Sequence, residues 1–299
     1  MCARSSFHQS NPLIPSDISG QCSDYLTALN ANASISACAA PFTTALAAFS
    51  PGATTASASA ISSALDNLCA PNAFSGCPQS TITAQLSAFY TACTNELVTS
   101  PNLVVKLNYD ALYASVPLRQ VICAKDDSGN YCAANLTDSS TTGSTASTNP
   151  SSKQSVLQSS LYTTPSTDGA TSNGSSVLVP NATTYQQTNV LFMLLDPSMS
   201  SNQLCTTCTK NIMTPYISFE STIPYAPGLN ASCLFSGQVA LYNQINAICP
   251  AGFLNGAVQA AGGLSKGLAT NAASRVDGHE LSAAVSAILG VVALVAASL

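Results

Sequence analysis

The sequence predicts a mostly α-helical ectodomain, stapled by disulfides and interrupted by a long Ser/Thr-rich loop. Three observations carry that expectation. The chain holds 12 cysteines in 299 residues, a density suited to an oxidising compartment and unusual where cellular reductants keep thiols free. Its apolar residues recur at helical spacing in several segments, with Pro and Gly between them. A central stretch is dominated by Ser and Thr and has neither cysteine nor periodicity.

The helical expectation comes first from residues 22–132, which hold Cys22, Cys38, Cys69, Cys77, Cys93, Cys123 and Cys132. In "CPQSTITAQLSAFYTACTNEL" the residues Ile82, Leu86, Phe89, Tyr90, Cys93 and Leu97 share one helix face. Phe42, Leu46 and Phe49 repeat the pattern, as do Ile61, Leu65 and Leu68; Pro41, Pro51, Pro71, Pro78 and Pro101 punctuate the segments. Across residues 138–189, Ser and Thr fill 24 of 52 positions, too polar for a packed core, so this is an exposed insert suited to O-linked sugars. A short strand or β-hairpin is expected near "SSVLVP" or "TNVLFMLLD".

The ordered pattern resumes over 190–256 with Cys205, Cys208, Cys233 and Cys249. "SNQLCTTCTKNIMTPYISF" predicts a helix opening near Ser201 and disturbed at Pro215. "CLFSGQVALYNQINAIC" places Phe235, Val239, Tyr242 and Cys249 on one stripe. Cys22/Cys38, Cys77/Cys93 and Cys233/Cys249 share a sixteen-residue offset. On an unbroken helix that is roughly 24 Å, while a disulfide needs Cα atoms within about 7 Å. Such cysteines therefore pair with other elements, and the bridges staple helix to helix.

Five N-glycosylation sequons, at Asn32, Asn135, Asn173, Asn181 and Asn230, agree with an extracellular chain. The start, "MCARSSFHQSNPLIPSDISG", lacks an apolar leader. Eleven cysteines from Cys22 onward are an odd number, and Cys2 makes the count even. The expectation is that Cys2 joins the disulfide framework and that the true leader lies upstream. The expected organisation is a disordered start over 1–20 and one cysteine-rich helical domain over 21–256 that includes the insert. A linker and spacer cover 257–280, and an apolar tail covers 281–299.

The tail, "LSAAVSAILGVVALVAASL", is apolar without an amphipathic face, and no Lys or Arg follows it. The small residues Asn271, Ala272 and Ala273, the polar "SRVDGHE" and this tail follow the order of a glycosylphosphatidylinositol (GPI) attachment signal, with Asn271 as the attachment residue. Cleavage there leaves a mature chain without a span.

Much of the chemistry is read by exclusion. With 8 Lys+Arg against 13 Asp+Glu and a net charge of −5, there is no basic footprint for nucleic acid. The two histidines, His8 and His279, lie in the start and in the discarded segment, so the folded body has no imidazole for Ser-His-Asp or Cys-His catalysis or for zinc. In "CAKDDSGNYC", Asp126, Asp127 and Asn130 can offer oxygens to calcium, but no Glu follows at the twelfth position. A turn at Gly129, fixed by Cys123 and Cys132, is the favoured reading. "CTTC", Cys205 to Cys208, has redox spacing without the βαβ context, so both thiols read as structural. The acids Asp66, Glu96, Asp110, Asp126, Asp127, Asp196 and Glu220 show no spacing that signals paired-carboxylate hydrolysis. No catalytic, cofactor-binding or metal-ligating residue is assigned.

Taken together, "CAKDDSGNYC", "CTTCTKNIM" and "INAICPAGFLN" resemble an uncharacterised fungal family of cysteine-rich secreted proteins, many ending in a GPI-type tail. The resemblance spans roughly residues 20–256, with the insert variable; Pro250 stands where a Gly is the family's habit. It implies a fungal surface setting and transfers no catalytic residues. The expected function is a GPI-anchored cell-surface or cell-wall glycoprotein with a structural, adhesive or interaction role. Its partners would be the membrane, through the anchor, and cell-wall glucan or other surface proteins. The alternatives are an extracellular binding module for a small apolar or metal ligand and a carbohydrate-active enzyme using paired carboxylates.

Overall fold

A computed structural model describes residues 13–45, 58–134, 162–163 and 179–254. These form nine α-helices: α1 (Gly20–Asn30), α2 (Ala33–Ala45), α3 (Ala58–Leu68), α4 (Gln79–Ala92), α5 (Leu103–Ile122), α6 (Ala182–Thr188), α7 (Ser201–Leu204), α8 (Thr207–Thr222) and α9 (Gln238–Ile248). A π turn covers Asn95–Thr99, and 3-10 turns cover Cys132–Ala134, Val190–Phe192 and Leu229–Ala231. The fold is mostly helical, as predicted.

The α5 helix is the axis of the molecule. Asn102 caps it, its Oδ1 accepting from Val104 N at 3.0 Å and Val105 N at 3.3 Å. Every residue from Leu107 to Leu118 is buried, because α5 packs on α4 from one side and α8 from another. A helix covered all round needs apolar residues all round, and Asp110 is the conspicuous departure. The α1 helix lies on α4, and α2 packs on α3. Ile82, Leu86 and Phe89 of α4 are buried as the periodicity predicts, and so are Ile61, Leu65 and Leu68 of α3 and Phe42 of α2. Each such side chain contributes about 1.5–3 kcal/mol relative to exposure. Leu46 and Phe49 lie outside the described residues.

Five disulfides join the elements: Cys22–Cys93, Cys38–Cys77, Cys69–Cys123, Cys132–Cys208 and Cys205–Cys249. None of the three sixteen-residue pairs is bonded to itself. The helix rise accounts for Cys77 and Cys93, which bracket α4, whereas Cys22 and Cys38 sit on separate helices and Cys233 lies ahead of α9. The first three bridges hold α1–α5 together, and Cys132–Cys208 ties that half to the part of the chain beyond the Ser/Thr-rich segment. Cys233 departs from the expected framework among the described residues: it is buried and bonded to no other described cysteine. Cys2 lies outside the described residues.

Several local expectations change. Residues 13–19, part of the start read as disordered, lie on the core: Leu13, Ile14 and Ile18 pack against it, and Asn108 Nδ2 donates to Leu13 O at 2.8 Å. "SSVLVP" does include a strand, Val179–Pro180, paired antiparallel with Tyr162–Thr163. "TNVLFMLLD" is not a strand. Its core is the 3-10 turn, and Asn189, Met193 and Leu194 have φ of 49°, 53° and 60°, left-handed values that no strand accommodates. A short apolar run buried on every side has no period to tell strand from helix. Order also returns before the expected insert ends, since α6 buries Tyr185. Pro41 sits inside α2 rather than punctuating it, and α8 runs past Pro215 to Thr222. The stripe expected on α9 is out of phase. Phe235 precedes the helix, so the buried face is Gln238, Leu241 and Ile245 while Val239 is exposed.

Candidate functional site

The most developed polar site is a knot around Asp110, which has no exposed surface. The α5 helix carries the carboxylate into the 225–235 loop. Its Oδ2 accepts from Cys233 N at 2.7 Å and Leu234 N at 3.0 Å, and Oδ1 accepts from the Tyr225 hydroxyl. Ser232 Oγ caps the same turn, accepting from Phe235 N at 2.8 Å and Leu234 N at 3.1 Å. Burial pushes the Asp110 carboxyl up to about 6, against the pull of the Tyr225 and Ser232 hydroxyls and the two backbone N–H groups. Rings enclose the knot: Tyr113 stands edge-on to Phe219, Tyr225 and Phe235, with centroids 4.9, 5.1 and 5.6 Å away. Sealed in this way, Asp110 orders a loop and cannot meet a substrate. Beside it, burial pushes the Cys233 thiol up to about 11, reinforced by the Asp110 charge and opposed by Lys106. Such a thiol is a poor nucleophile.

The other acids singled out in the sequence are also engaged in the fold. Glu96 Oε1 accepts from Ser19 N at 2.8 Å, fastening the start of α1 to the π turn. Burial pushes its carboxyl up, but the N–H of Ser19 and the Asn95 amide outweigh that and hold it below the ordinary range. Asp66 accepts from the Tyr131 hydroxyl at 3.1 Å, and Asp196 Oδ1 accepts from Ser198 N at 2.7 Å. Glu220 Oε2 accepts from Gln238 Nε2 at 2.8 Å.

The Asp126 segment is the predicted turn. Asp126 Oδ1 accepts from Ser128 N at 2.9 Å and Asn130 N at 2.8 Å, and Gly129 has φ +82°, a conformation glycine adopts without cost. Asp127 points elsewhere, accepting from Thr207 Oγ1 at 2.7 Å. The two carboxylates therefore do not converge on one point. Its flanking cysteines bridge outward, Cys123 to Cys69 and Cys132 to Cys208. The "CTTC" pair is divided in the same way, Cys205 to Cys249 and Cys208 to Cys132, so its spacing is structural. Cys22, Cys93 and Glu96 place ligand atoms within 4.8 Å of one another. The two sulfurs are bonded to each other and offer no thiolate.

Three sequon asparagines are described. Asn32 and Asn181 cap α2 and α6, accepting from Ser34 N at 2.9 Å and Thr184 N at 3.4 Å. Both are partly exposed, and Asn230 is exposed, so all three are accessible for a glycan. Asn135, Asn173 and Asn271 lie outside the described residues, as do His8, His279 and the tail. An open groove of about 750 Å³ runs between α2 and α3, lined by small residues including Ala37, Ala40, Thr44, Ala60 and Ser63. None of its described lining residues is charged.

Sequence reasoning named Asp110 among the acids but missed its role. The signal was available: a lone carboxylate inside "LNYDALYASVPL", where a helix apolar on every side must bury it. Gln238, Tyr225 and Ser232 carried no comparable signal, since their meeting depends on loop closure. No helix among the described residues is long and apolar enough to cross a membrane. Five disulfides are compatible with a secreted or extracellular chain. The chain matches no family model, no curated protein and no solved structure.

Proposed function

We propose that this chain is a GPI-anchored glycoprotein of the fungal cell surface or wall, acting through structure and interaction rather than catalysis. The observation that carries the reading is the pairing of cysteines: every described cysteine but Cys233 is in a disulfide, and the bridges tie successive helices together. A low-charge body with 8 Lys+Arg and 13 Asp+Glu gains persistence outside the cell from such stapling. Three supports are independent of it. Asn32, Asn181 and Asn230 are accessible. The seven acids considered for paired-carboxylate chemistry each accept a hydrogen bond within the fold. The order of small residues at Asn271, polar spacer and apolar tail is that of an anchor signal. The fungal setting rests on the motif resemblance.

The test is enzymatic release. The gene, with its native leader, is expressed in a fungal host. Intact cells are treated with phosphatidylinositol-specific phospholipase C, and isolated walls with glucanase. Release by either enzyme, with a C-terminal peptide ending near Asn271, is the expected result. Protein that stays in membranes with residues 281–299 intact overturns it.

A further inference from the structure

Glu220 on α8, half-buried, and Gln238, buried at the start of α9, form a pair with one donor too few. Gln238 is 3 % exposed. Its Nε2 donates to Glu220 Oε2 at 2.8 Å, while Glu220 Oε1 and Gln238 Oε1 are both buried acceptors without a donor. Buried acceptors are ordinarily bonded. The ionisable groups that bear on Glu220 are Tyr113 of α5 and Tyr216 one turn back on α8. Neither hydroxyl supplies the missing donor, because Tyr113 donates to Ile223 O and Tyr216 to Leu191 O. Turning the Gln238 amide over changes which carboxylate oxygen meets the amide oxygen and leaves the deficit intact.

A single proton removes the deficit. Carried on Glu220 Oε1 and donated to Gln238 Oε1, it completes a cyclic acid–amide pair with two hydrogen bonds in opposite directions. We propose that Glu220 and Gln238 form a proton-binding site that fastens the start of α9 to α8 in acid and loosens it as pH rises past neutrality. Burial pushes the Glu220 carboxyl from 4.5 up to about 7, against the pull of the Gln238 amide. The folded chain therefore holds this proton more tightly than the unfolded chain. Its contribution to stability is complete below about 4.5 and is lost as pH rises through about 7. The far end of α9 stays tethered through Cys249–Cys205, so the loosening concerns its first turn and the 232–237 loop. That loop is also held by Asp110, which titrates in the same direction and lower.

The chain has three glutamates, Glu96, Glu220 and Glu280, so carboxyl-13C-glutamate labelling of the full chain yields three resonances. The expected result is one carboxyl titrating near 7, lost in Glu220→Gln. The denaturation midpoint of the wild type falls between about pH 5 and 8, and Glu220→Gln, whose amide donates permanently, falls less. Should that variant not fold, Glu96→Gln and Glu280→Gln each remove one wild-type resonance, and the one left by both is Glu220. Three glutamate carboxyls all titrating below about 5, or parallel stability profiles for wild type and Glu220→Gln, overturns the proposal.

Discussion

Truncating Asp110 to alanine isolates the energetic weight of the buried knot. The substitution removes the Asp110 acceptor of the Cys233 N–H and of the Tyr225 hydroxyl. The Leu234 N–H keeps Ser232 Oγ at 3.1 Å and is not orphaned. Two buried donors left unsatisfied cost about 1–3 kcal/mol each, so Asp110→Ala destabilises by about 4 kcal/mol. Asp110→Asn keeps one oxygen for the backbone donors, and the Tyr225 hydroxyl can rotate to accept from the new amide. Its expected cost is about 1–2 kcal/mol. Folding raises this carboxyl from 3.8 to about 6, so its protonated form is favoured in the folded state. The wild-type advantage over Asp110→Asn is fullest in acid and narrows as pH rises through 6. The assay is urea unfolding with disulfides intact, followed by near-ultraviolet circular dichroism and tyrosine fluorescence, which no tryptophan obscures. An Asp110→Ala cost under about 1 kcal/mol, or an Asp110→Asn cost equal to it, refutes the assignment of two orphaned donors.

Two other outcomes follow from the cysteines. Cys233 resists iodoacetamide at neutral pH in the native protein and is alkylated once denaturant opens the fold, because its thiol is buried and pushed up to about 11; rapid native labelling, read by peptide mass spectrometry, contradicts this. Replacing both Cys22 and Cys93 by alanine frees a loop of sequence separation 71 and costs about 4 kcal/mol by loop-closure entropy, measured by the same urea titration, where a change under about 1 kcal/mol refutes it.

Much of the helical framework was legible in the sequence. The faces of α3 and α4 were read from the 3.6-residue period, because one side of each meets the core and the other meets solvent. That Cys77 and Cys93 pair elsewhere needed only the rise of the helix between them. The turn at Asp126–Gly129 was also legible, since Asp, Asn and Gly stabilise it through contacts within five residues. The α9 stripe failed because its phase was set from Phe235, which the chain places before the helix. The run around Val190–Leu195 failed because burial on all sides erases the period.

The candidate sites divide on the same line. Sequence alone determined the scarcity of charge and of histidine, the sequons, the even count of cysteines and the helical periods, since each depends on composition or on neighbours along the chain. Tertiary structure decided which cysteine meets which, that Cys233 meets no other described cysteine, that Asp110 holds a loop more than a hundred residues away, and that Glu220 shares one donor with Gln238. Those outcomes depend on helices brought together across the chain. The energy of burying a polar group is set by what closes over it, and no local pattern records that.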